Sequence, residues 1–260
     1  MEIRAKKSLG QNFLHDDNIL NKIASSTDAC ENDLIIEIGP GKGALTKKLK
    51  NINSQLLAFE IDERMLPILK DLEDEKTKFI FKDILKVDLK ELTRGYNYNN
   101  LYVIANIPYY ITTPIIKKLI ESNLKIKNIV LLVQKEFAER VSAKEGCKEY
   151  DSLTVYLNYF YKITKLFDVS RNCFNPIPNV DSSVIKFSKN NLSVSNEKLF
   201  FKLVDDSFRF KRKTLKNNLK NYDWEKIKVF LNSHGYHESV RAEQISLEEY
   251  INLAEYLSND

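Results

Sequence analysis

The sequence predicts an α/β fold with a mainly parallel sheet, followed by a smaller all-helical region. From residue 18 onward, short apolar segments alternate with segments whose apolar residues recur at helical spacing. Such alternation is typical of a parallel sheet with helices on both faces. Residues 189–196 are mostly polar, and the apolar residues beyond them keep the helical spacing. We therefore expect one domain over residues 1–188 and a helical domain over residues 189–260.

The individual segments support this fold. Apolar runs predict strands at residues 34–38, 55–59, 78–82, 101–105 and 128–134. Helical spacing predicts helices at residues 18–29 and 44–49, after Asp62 as a cap, and at residues 113–120 and 135–143. The run at residues 153–161 fits a helix or a strand, and we favour a helix followed by a strand near residues 162–169. Residues 180–187 alternate and predict the last strand.

The composition excludes several classes of protein. The chain has 40 Lys and Arg against 36 Asp and Glu, a net charge of +4, so the placement of the positive charge matters more than its sum. Its three cysteines and three histidines are dispersed, which disfavours a disulfide framework and a metal site. It has no run of about 18 apolar residues, and its first residues do not resemble a signal peptide. We expect a cytoplasmic monomer that binds neither a membrane nor a metal.

A glycine-rich turn follows the first predicted strand. Gly39 and Gly41 lie in the segment 37–43 (EIGPGKG), where glycine permits a tight turn and a close approach of the backbone to a ligand. Dinucleotide-binding folds have the spacing G-x-G-x-x-G, which directs a helix N-terminus at a pyrophosphate. Here the spacing is G-x-G-x-G after an acidic residue, which suits a ligand without a phosphate, such as S-adenosylmethionine. A glycine-rich turn by itself is often only a turn. Its position directly after the first predicted strand favours a role in ligand binding.

Acidic residues end the next two predicted strands. Glu60 ends the second, where a carboxylate can accept hydrogen bonds from both hydroxyls of a ribose, and Ile61 follows it. Asp83 ends the third, and with the backbone N–H of Ile84 it can bind the amino edge of an adenine. Either acid alone would most simply be a solvated surface residue. Three successive strand ends carrying Gly39, Glu60 and Asp83 instead predict one nucleoside site.

The tetrapeptide Asn106-Ile107-Pro108-Tyr109 follows the fourth predicted strand, at the ligand-binding edge of the sheet. The side-chain oxygen of Asn106 and the backbone carbonyl of Pro108 can accept the two hydrogens of an exocyclic amine. The ring of Tyr109 can stack on the base that carries this amine. These groups predict methyl transfer to N6 of an adenine that is flipped out of its helix.

Phe174 precedes a loop in which Pro176 and Pro178 fix an extended backbone. An aromatic residue held rigidly at the edge of the cleft could sandwich the target base against Tyr109. The alternative is that Phe174 anchors the core before the last strand. The sequence leaves both roles open.

A basic stretch at residues 208–220 carries six Lys or Arg, no acid and two aromatic residues. Most charge runs are solvated helix faces, but this one has a single sign, which suits contacts with a phosphate backbone that weaken as salt rises. We expect it to be helical. The predicted RNA-binding residues are Arg140, Arg209, Lys211, Arg212, Lys213 and Lys216.

Together these segments resemble the KsgA (RsmA) family of small-subunit ribosomal RNA adenine dimethyltransferases. The resemblance covers nearly the whole chain. Its motifs are residues 7–14 (KSLGQNFL), 37–43 (EIGPGKG), 106–114 (NIPYYITTP), 134–136 (QKE), 174–184 (FNPIPNVDSSV), 212–215 (RKTL) and 241–243 (RAE). It implies a class I, Rossmann-like methyltransferase domain with seven strands, the last antiparallel, and a small helical carboxyl-terminal domain. It also implies an S-adenosylmethionine site lined by Asn12, Leu14, Gly39, Glu60, Asp83 and Asn106.

The resemblance implies the transfer of four methyl groups to two adjacent adenines in the 3′-terminal hairpin loop of small-subunit (16S) rRNA, free or in a pre-30S particle. The nearest alternative is an enzyme of the erythromycin-resistance type, which dimethylates one adenine of large-subunit RNA and commonly has Asn where this chain has Tyr110. A DNA adenine methyltransferase is a related alternative. A nicotinamide-dependent oxidoreductase is disfavoured by the G-x-G-x-G spacing. A non-catalytic assembly factor is disfavoured by the intact Asn106–Tyr109 tetrapeptide.

Overall fold

The computed structural model describes residues 3–258, apart from the side chain of Lys7. These residues form two compact units. The first contains residues 3–138 and 164–189, and the second contains residues 139–163 and 190–258. Residues 1, 2, 259 and 260, at the outer ends of the two predicted domains, lie outside the described residues.

The first unit is built on a seven-stranded, mainly parallel sheet. Its strands are β1 (Leu34–Ile38), β2 (Gln55–Glu60), β3 (Thr77–Phe81), β4 (Leu101–Asn106), β5 (Ile126–Gln134), β6 (Tyr161–Val169) and β7 (Ser182–Lys189). Their order across the sheet is β3-β2-β1-β4-β5-β7-β6. Strands β1 to β5 pair in parallel, whereas β7 runs antiparallel to β5. The sheet therefore has the predicted Rossmann-like topology, and its strand order reverses direction between β1 and β4.

Burial explains why the central strands are apolar without interruption. All five residues of β1 are buried, as are the first five residues of β4. A strand covered on both faces cannot alternate apolar and polar side chains, because neither face meets water. The predicted strands at residues 34–38 and 101–105 are confirmed for this reason, and the structure extends the second of them to Asn106.

The register of the sheet places four strand ends at the same level. Ile38 of β1 pairs with Phe59 of β2 and with Ala105 of β4. Glu60 of β2 pairs with Phe81 of β3. Residues that follow these positions therefore lie along one edge of the sheet, where open α/β folds bind their ligands.

Helices connect the strands of this unit. They are α1 (Asp17–Ser25), α2 (Ala44–Lys50), α3 (Leu66–Lys70), α4 (Leu89–Thr93), α5 (Thr112–Glu121) and α6 (Lys135–Val141), the last of which continues into the second unit at residue 139. Their starts follow the sequence: the Asp16 side chain accepts a hydrogen bond from Ile19 N at the start of α1, and Asp62 accepts one from Arg64 N before α3. Before α1, Phe13–Leu14 forms a short antiparallel pair with Phe174–Asn175, which joins two distant parts of the chain.

The second unit is helical. It contains α7 (Ser152–Phe160), α8 (Glu197–Ser207), α9 (Leu215–Asn218), α10 (Trp224–Ser233) and α11 (Leu247–Ser258). A helix is thus confirmed for the ambiguous run at residues 153–161, and it begins at a capping box between Asp151 and Thr154. Val155 and Tyr159 of α7 belong to the same buried cluster as Phe200, Leu231 and Tyr250.

Two expectations differ from the structure. A single division at residue 188 does not describe the chain, because residues 139–163 belong to the second unit. The apolar side of α7 is buried in the same cluster as the carboxyl-terminal helices, which explains this assignment. The basic stretch is also not a continuous helix. Residues 208–213 form turns, and only Leu215–Asn218 is helical. Hydrogen bonds from the Asn218 side chain to Ser207 O and Phe210 O hold this turn.

Candidate active site

The ends of β1 to β4 and the amino-terminal segment line a cavity of about 740 Å³ in the first unit. This volume is typical of sites for small molecules and cofactors. The structure brings together every residue predicted for catalysis or cofactor binding. They are Asn12, Leu14, Gly39, Gly41, Glu60, Ile61, Asp83, Ile84, Asn106, Pro108, Tyr109 and Phe174.

The glycine-rich turn needs glycine where it crosses the end of β4. Gly39 has a φ of +74°, and a Cβ atom there would lie 3.3 Å from the carbonyl oxygen of Asn106. Gly41 has a φ of +54°, and its Cβ would lie 3.1 Å from the ring of Phe13. A side chain at either position would be strained and would press on a wall of the cavity.

Glu60 fastens the glycine-rich turn to the loop after β2. Its Oε2 accepts a 2.9 Å hydrogen bond from Gly41 N, and its Oε1 accepts 2.9 Å hydrogen bonds from Ile61 N and Asp62 N. Burial nevertheless raises the pKa of the Glu60 carboxyl. A carboxylate has about four acceptor sites, so these three hydrogen bonds leave one site, on Oε2, for a hydroxyl group of a ligand.

The residues that follow β2 and β3 provide the cavity with a polar group and apolar walls. Asp83 Oδ1 accepts a 3.0 Å hydrogen bond from Leu85 N, which fixes the short turn Ile84–Lys86. Ile84 is buried, whereas Ile61 is 54% exposed although it lines the cavity. An exposed isoleucine beside the cavity provides an apolar surface suited to a flat heterocycle.

The Asn106–Tyr109 tetrapeptide leaves β4 in a short turn. The carbonyl of Pro108 accepts a 3.2 Å hydrogen bond from Ile111 N, and a carbonyl has a second lone pair for another donor. The hydroxyl of Tyr109 lies 2.7 Å from Ser182 Oγ of β7, which fixes the orientation of the ring. Burial raises the pKa of Tyr109, so this phenol stays neutral.

The amino-terminal segment forms one wall of the cavity, and its contacts are not visible in the sequence. Gln11 Nε2 donates a 2.7 Å hydrogen bond to Asp62 Oδ2, and Lys6 N donates a 2.8 Å hydrogen bond to Gln11 Oε1. The Nζ of Lys42 lies 4.9 Å from the centroid of the Phe13 ring. The motif at residues 7–14 contains Gln11 and Phe13, but only tertiary structure shows which side chains they meet.

Phe174 is 2% exposed and belongs to a buried apolar cluster with Leu14 and Leu20. This burial supports the role of core anchor, and Phe174 also forms part of the cavity wall. Pairing of Phe174 with Leu14 in the short antiparallel sheet explains the burial.

Comparison with known proteins agrees with this geometry. The model of the ribosomal RNA adenine dimethylase family matches residues 2–259. The chain belongs to this family. It is 41% identical to ribosomal RNA small subunit methyltransferase A of Clostridium botulinum, over 98% of this chain and 94% of that protein. It is 43% identical to the protein of the same name from Streptococcus pneumoniae, over 97% and 91% of the two chains.

Solved structures of similar fold agree with the membership. A dimethyladenosine transferase from Plasmodium falciparum superimposes with a TM-score of 0.76 at 28% identity, over 93% of this chain and 95% of that one. The 23S rRNA methyltransferase ErmE superimposes with a TM-score of 0.78 over 95% and 100% of the two chains. At 22% identity, the likeness to ErmE shows the fold alone.

The predicted RNA-binding residues of this dimethylase all lie in the second unit, and several have partners there. Arg140 Nε donates a 2.6 Å hydrogen bond to Asp151 Oδ2, and Lys211 Nζ donates a 2.8 Å hydrogen bond to Lys148 O. Arg209 lies 3.8 Å from Asp206, and Lys216 lies 3.9 Å from Glu238. Arg212 and Lys213 are exposed, and within residues 3–258 neither forms an ion pair.

Among residues 3–258 there is no group of three or more His, Cys, Asp or Glu side chains arranged to hold a metal ion. No helix in that range has the length and apolar character that crossing a membrane requires.

Proposed function

We propose that this dimethylase transfers methyl groups from S-adenosylmethionine to N6 of two adjacent adenines in the 3′-terminal hairpin loop of small-subunit rRNA. The observation that carries the proposal is the position of Asn106, Pro108 and Tyr109 in the same cavity as Glu60 and Asp83. The two relatives named above are identical to this chain at about two fifths of the aligned positions, and both are named ribosomal RNA small subunit methyltransferase A. The proposal includes a monomeric cytoplasmic protein that acts on the RNA of assembling small subunits without a metal.

The residues of the cavity fit S-adenosylmethionine. Glu60 Oε2 has an acceptor site left for a ribose hydroxyl, and Asp83 with the N–H of Ile84 suits the amino edge of the adenine. The exposed side chain of Ile61 suits the face of the purine. Gly39 leaves the space beside Asn106 O that a Cβ would fill. When bound, the cofactor supplies a methyl group on a positively charged sulfur, which makes that carbon electrophilic.

The target adenine is held by the tetrapeptide in this proposal. Adenine N6 is a poor nucleophile because its lone pair is delocalised into the ring. Hydrogen bonds from its two hydrogens to Asn106 Oδ1 and the Pro108 carbonyl favour a tetrahedral nitrogen, which returns the lone pair to N6. Tyr109 stacks on the flipped base, with its ring held by Ser182. Phe174 contributes to the cavity wall from the buried core of the same unit.

Positioning accomplishes the transfer without a general base. Asn106 and the Pro108 carbonyl would hold N6 for attack on the methyl group that S-adenosylmethionine would supply, and N6 would release its proton to water. The Tyr109 hydroxyl is unsuited to accept that proton before attack, since it is a neutral phenol whose pKa is raised further by burial. The second methylation requires that the site accept an adenine that already carries one methyl group.

The second unit supplies phosphate contacts in this proposal. Arg212 and Lys213 are exposed and form no ion pair with another described residue. No ion pair therefore has to break when these two side chains bind RNA. Arg209, Lys211, Lys216 and Arg140 would first have to exchange the partners described above. We therefore place the main electrostatic contact at Arg212 and Lys213.

The test is incubation of unmethylated small subunits and, separately, large-subunit RNA with radiolabelled cofactor, followed by mapping of dimethyladenosine. We expect label on two adjacent adenines near the 3′ end of the small-subunit RNA. Asn106→Ala should abolish turnover while cofactor binding is partly retained, and Asn97→Ala, at an exposed asparagine of the same unit, should leave both intact. Label confined to large-subunit RNA would overturn the proposal.

A further inference from the structure

An aromatic ring projects from the basic turn, which we define as residues 209–213. Phe210 is 58% exposed, in a turn whose other four residues are Arg209, Lys211, Arg212 and Lys213. Single exposed apolar side chains are common on protein surfaces and need no function by themselves. The backbone and charge around Phe210 distinguish it from such a residue.

The backbone of Phe210 is held on both sides. Its N–H donates a 3.2 Å hydrogen bond to Asn218 Oδ1, and its carbonyl accepts hydrogen bonds from Asn218 Nδ2 at 3.3 Å and from Lys213 N at 2.9 Å. Asn218 Nδ2 also donates a 2.6 Å hydrogen bond to Ser207 O at the end of α8. The turn is therefore fixed to two helices of its own unit. A ring carried on a fixed backbone loses little conformational entropy on binding a partner.

The charge of the turn selects the class of partner. Arg212 and Lys213 are exposed and without ion pairs in the described part of the chain, so the surface next to Phe210 carries uncompensated positive charge. One ring surrounded by cations is too small an apolar area for a stable protein interface. It matches a single-stranded nucleic acid, which presents a flat base between two phosphates.

We propose that Phe210 stacks on an unpaired base of the small-subunit RNA while Arg212 and Lys213 bind the phosphates beside that base. This inference rests on the proposed function and adds a second contact with a base, one that involves no methyl transfer. The contact gives the second unit a preference for RNA loops and bulges over paired helices, because only an unstacked base can meet the ring.

The test compares affinities of wild type, F210A, F210L, F210Y and F210W for two RNAs: protein-free small-subunit RNA and a fully paired RNA duplex. We expect F210A and F210L to bind the small-subunit RNA about tenfold more weakly, with F210Y and F210W close to wild type. None of these variants should change the affinity for the duplex. R212A/K213A should weaken binding to both RNAs and reduce the salt dependence, which F210A should leave unchanged.

A matched control is V229A, at an aliphatic side chain of α10 that is 60% exposed. It should bind both RNAs like wild type. The F210W variant adds a spectroscopic signal, since the chain has one tryptophan and stacking on a base should quench the additional fluorescence. Unchanged affinity of F210A for the small-subunit RNA, or wild-type affinity of F210L, would overturn the inference. A defect of F210A seen with whole subunits but absent with protein-free RNA would assign the contact to a ribosomal protein and also overturn it.

The experiment separates this inference from the proposed function. If wild type fails to methylate the RNA of unmethylated small subunits, the proposed function is wrong whatever the affinities. If wild type methylates that RNA and F210A binds it normally, the stacking contact alone is wrong. Binding of S-adenosylhomocysteine by F210A, expected to equal that of wild type, shows that the first unit of the variant is folded, and its unchanged affinity for the duplex shows the same for the second unit.

Discussion

Gln11 and Asp62 are 51 residues apart in the chain, and Gln11 Nε2 donates a 2.7 Å hydrogen bond to Asp62 Oδ2. Arg64 Nε donates to the other oxygen of the same carboxylate at 2.8 Å, and the bond to Arg64 lowers the pKa of Asp62 to about 2. Asp62 N in turn donates to Glu60. The amino-terminal wall of the cavity is therefore connected through Asp62 to the carboxylate proposed to bind the ribose.

Gln11→Ala should weaken cofactor binding without unfolding the protein. A hydrogen bond to a charged group contributes about 1.5–3 kcal/mol, so we expect a loss of about tenfold in affinity for S-adenosylhomocysteine by calorimetry. The thermal midpoint should change little, because Gln11 lies outside the buried apolar core. Glu31→Gln alters an exposed 2.7 Å hydrogen bond with Asn53 and should leave the affinity unchanged. Wild-type affinity in the Gln11 variant would show that the amino-terminal wall does not contribute to binding.

Glu37 gives the fold a dependence on pH that is separate from catalysis. It is 1% exposed in β1, where burial raises the pKa of its carboxyl from 4.5 to about 8. Thr46 Oγ1 donates a 2.7 Å hydrogen bond to Oε2, and Oε1 has no partner among the described residues. The pKa of Glu37 is higher in the folded than in the unfolded chain. Between pH 4.5 and about 8, its carboxyl is therefore protonated in the folded state and ionised in the unfolded state. The free energy of unfolding should therefore fall as the pH rises from about 4.5 to about 8.

Glu37→Gln should remove this dependence, because glutamine stays neutral and its carbonyl still accepts from Thr46. We expect similar stability of the variant and wild type at pH 5, and a variant more stable by roughly 1–3 kcal/mol at pH 9. Urea unfolding at several pH values measures the difference. A difference of the same size at pH 5 and pH 9 would contradict the prediction.

Gly39→Ala should impair both folding and cofactor binding, and Gly146 provides the matched control. Both glycines have a positive φ, +74° and +83°, so alanine at either costs about 1–2 kcal/mol of backbone strain. A Cβ at Gly146 would meet nothing within 4 Å, whereas one at Gly39 would press on the backbone oxygen of Asn106. We expect a larger loss of thermal stability in Gly39→Ala than in Gly146→Ala, and a loss of cofactor affinity only in Gly39→Ala. Equal affinity in the two variants would show that this contact does not shape the site.

The edge of the sheet could be predicted from the sequence because each of its groups follows an apolar strand directly. Parallel register then fixes Gly39, Glu60 and Asn106 at one level, whatever the details of the loops. The contact of Gln11 with Asp62 could not be predicted in this way, since both residues lie in segments without periodicity. The burial of Phe174 depends on a pairing with Leu14 across 160 residues, from position 14 to position 174. The run at residues 153–161 fitted a helix or a strand, and the favoured helix is correct, but the sequence carried no information on which core buries it.

Tyr109 should act through its ring, with its hydroxyl serving to orient that ring. Tyr109→Phe removes the 2.7 Å contact with Ser182 and keeps the stacking surface, so we expect kcat to fall only about threefold to tenfold. Tyr109→Ala removes the surface and should lower kcat/KM for the RNA by about a hundredfold, with cofactor affinity unchanged. Ser182→Ala leaves the ring in place without its partner and should behave like Tyr109→Phe. The double variant Tyr109→Phe/Ser182→Ala should be no slower than either single variant, because one contact cannot be lost twice. Single-turnover methylation of unmethylated small subunits measures all of these rates. A Tyr109→Phe variant that binds RNA and cofactor normally but has no activity would instead give the phenol a direct part in the chemistry.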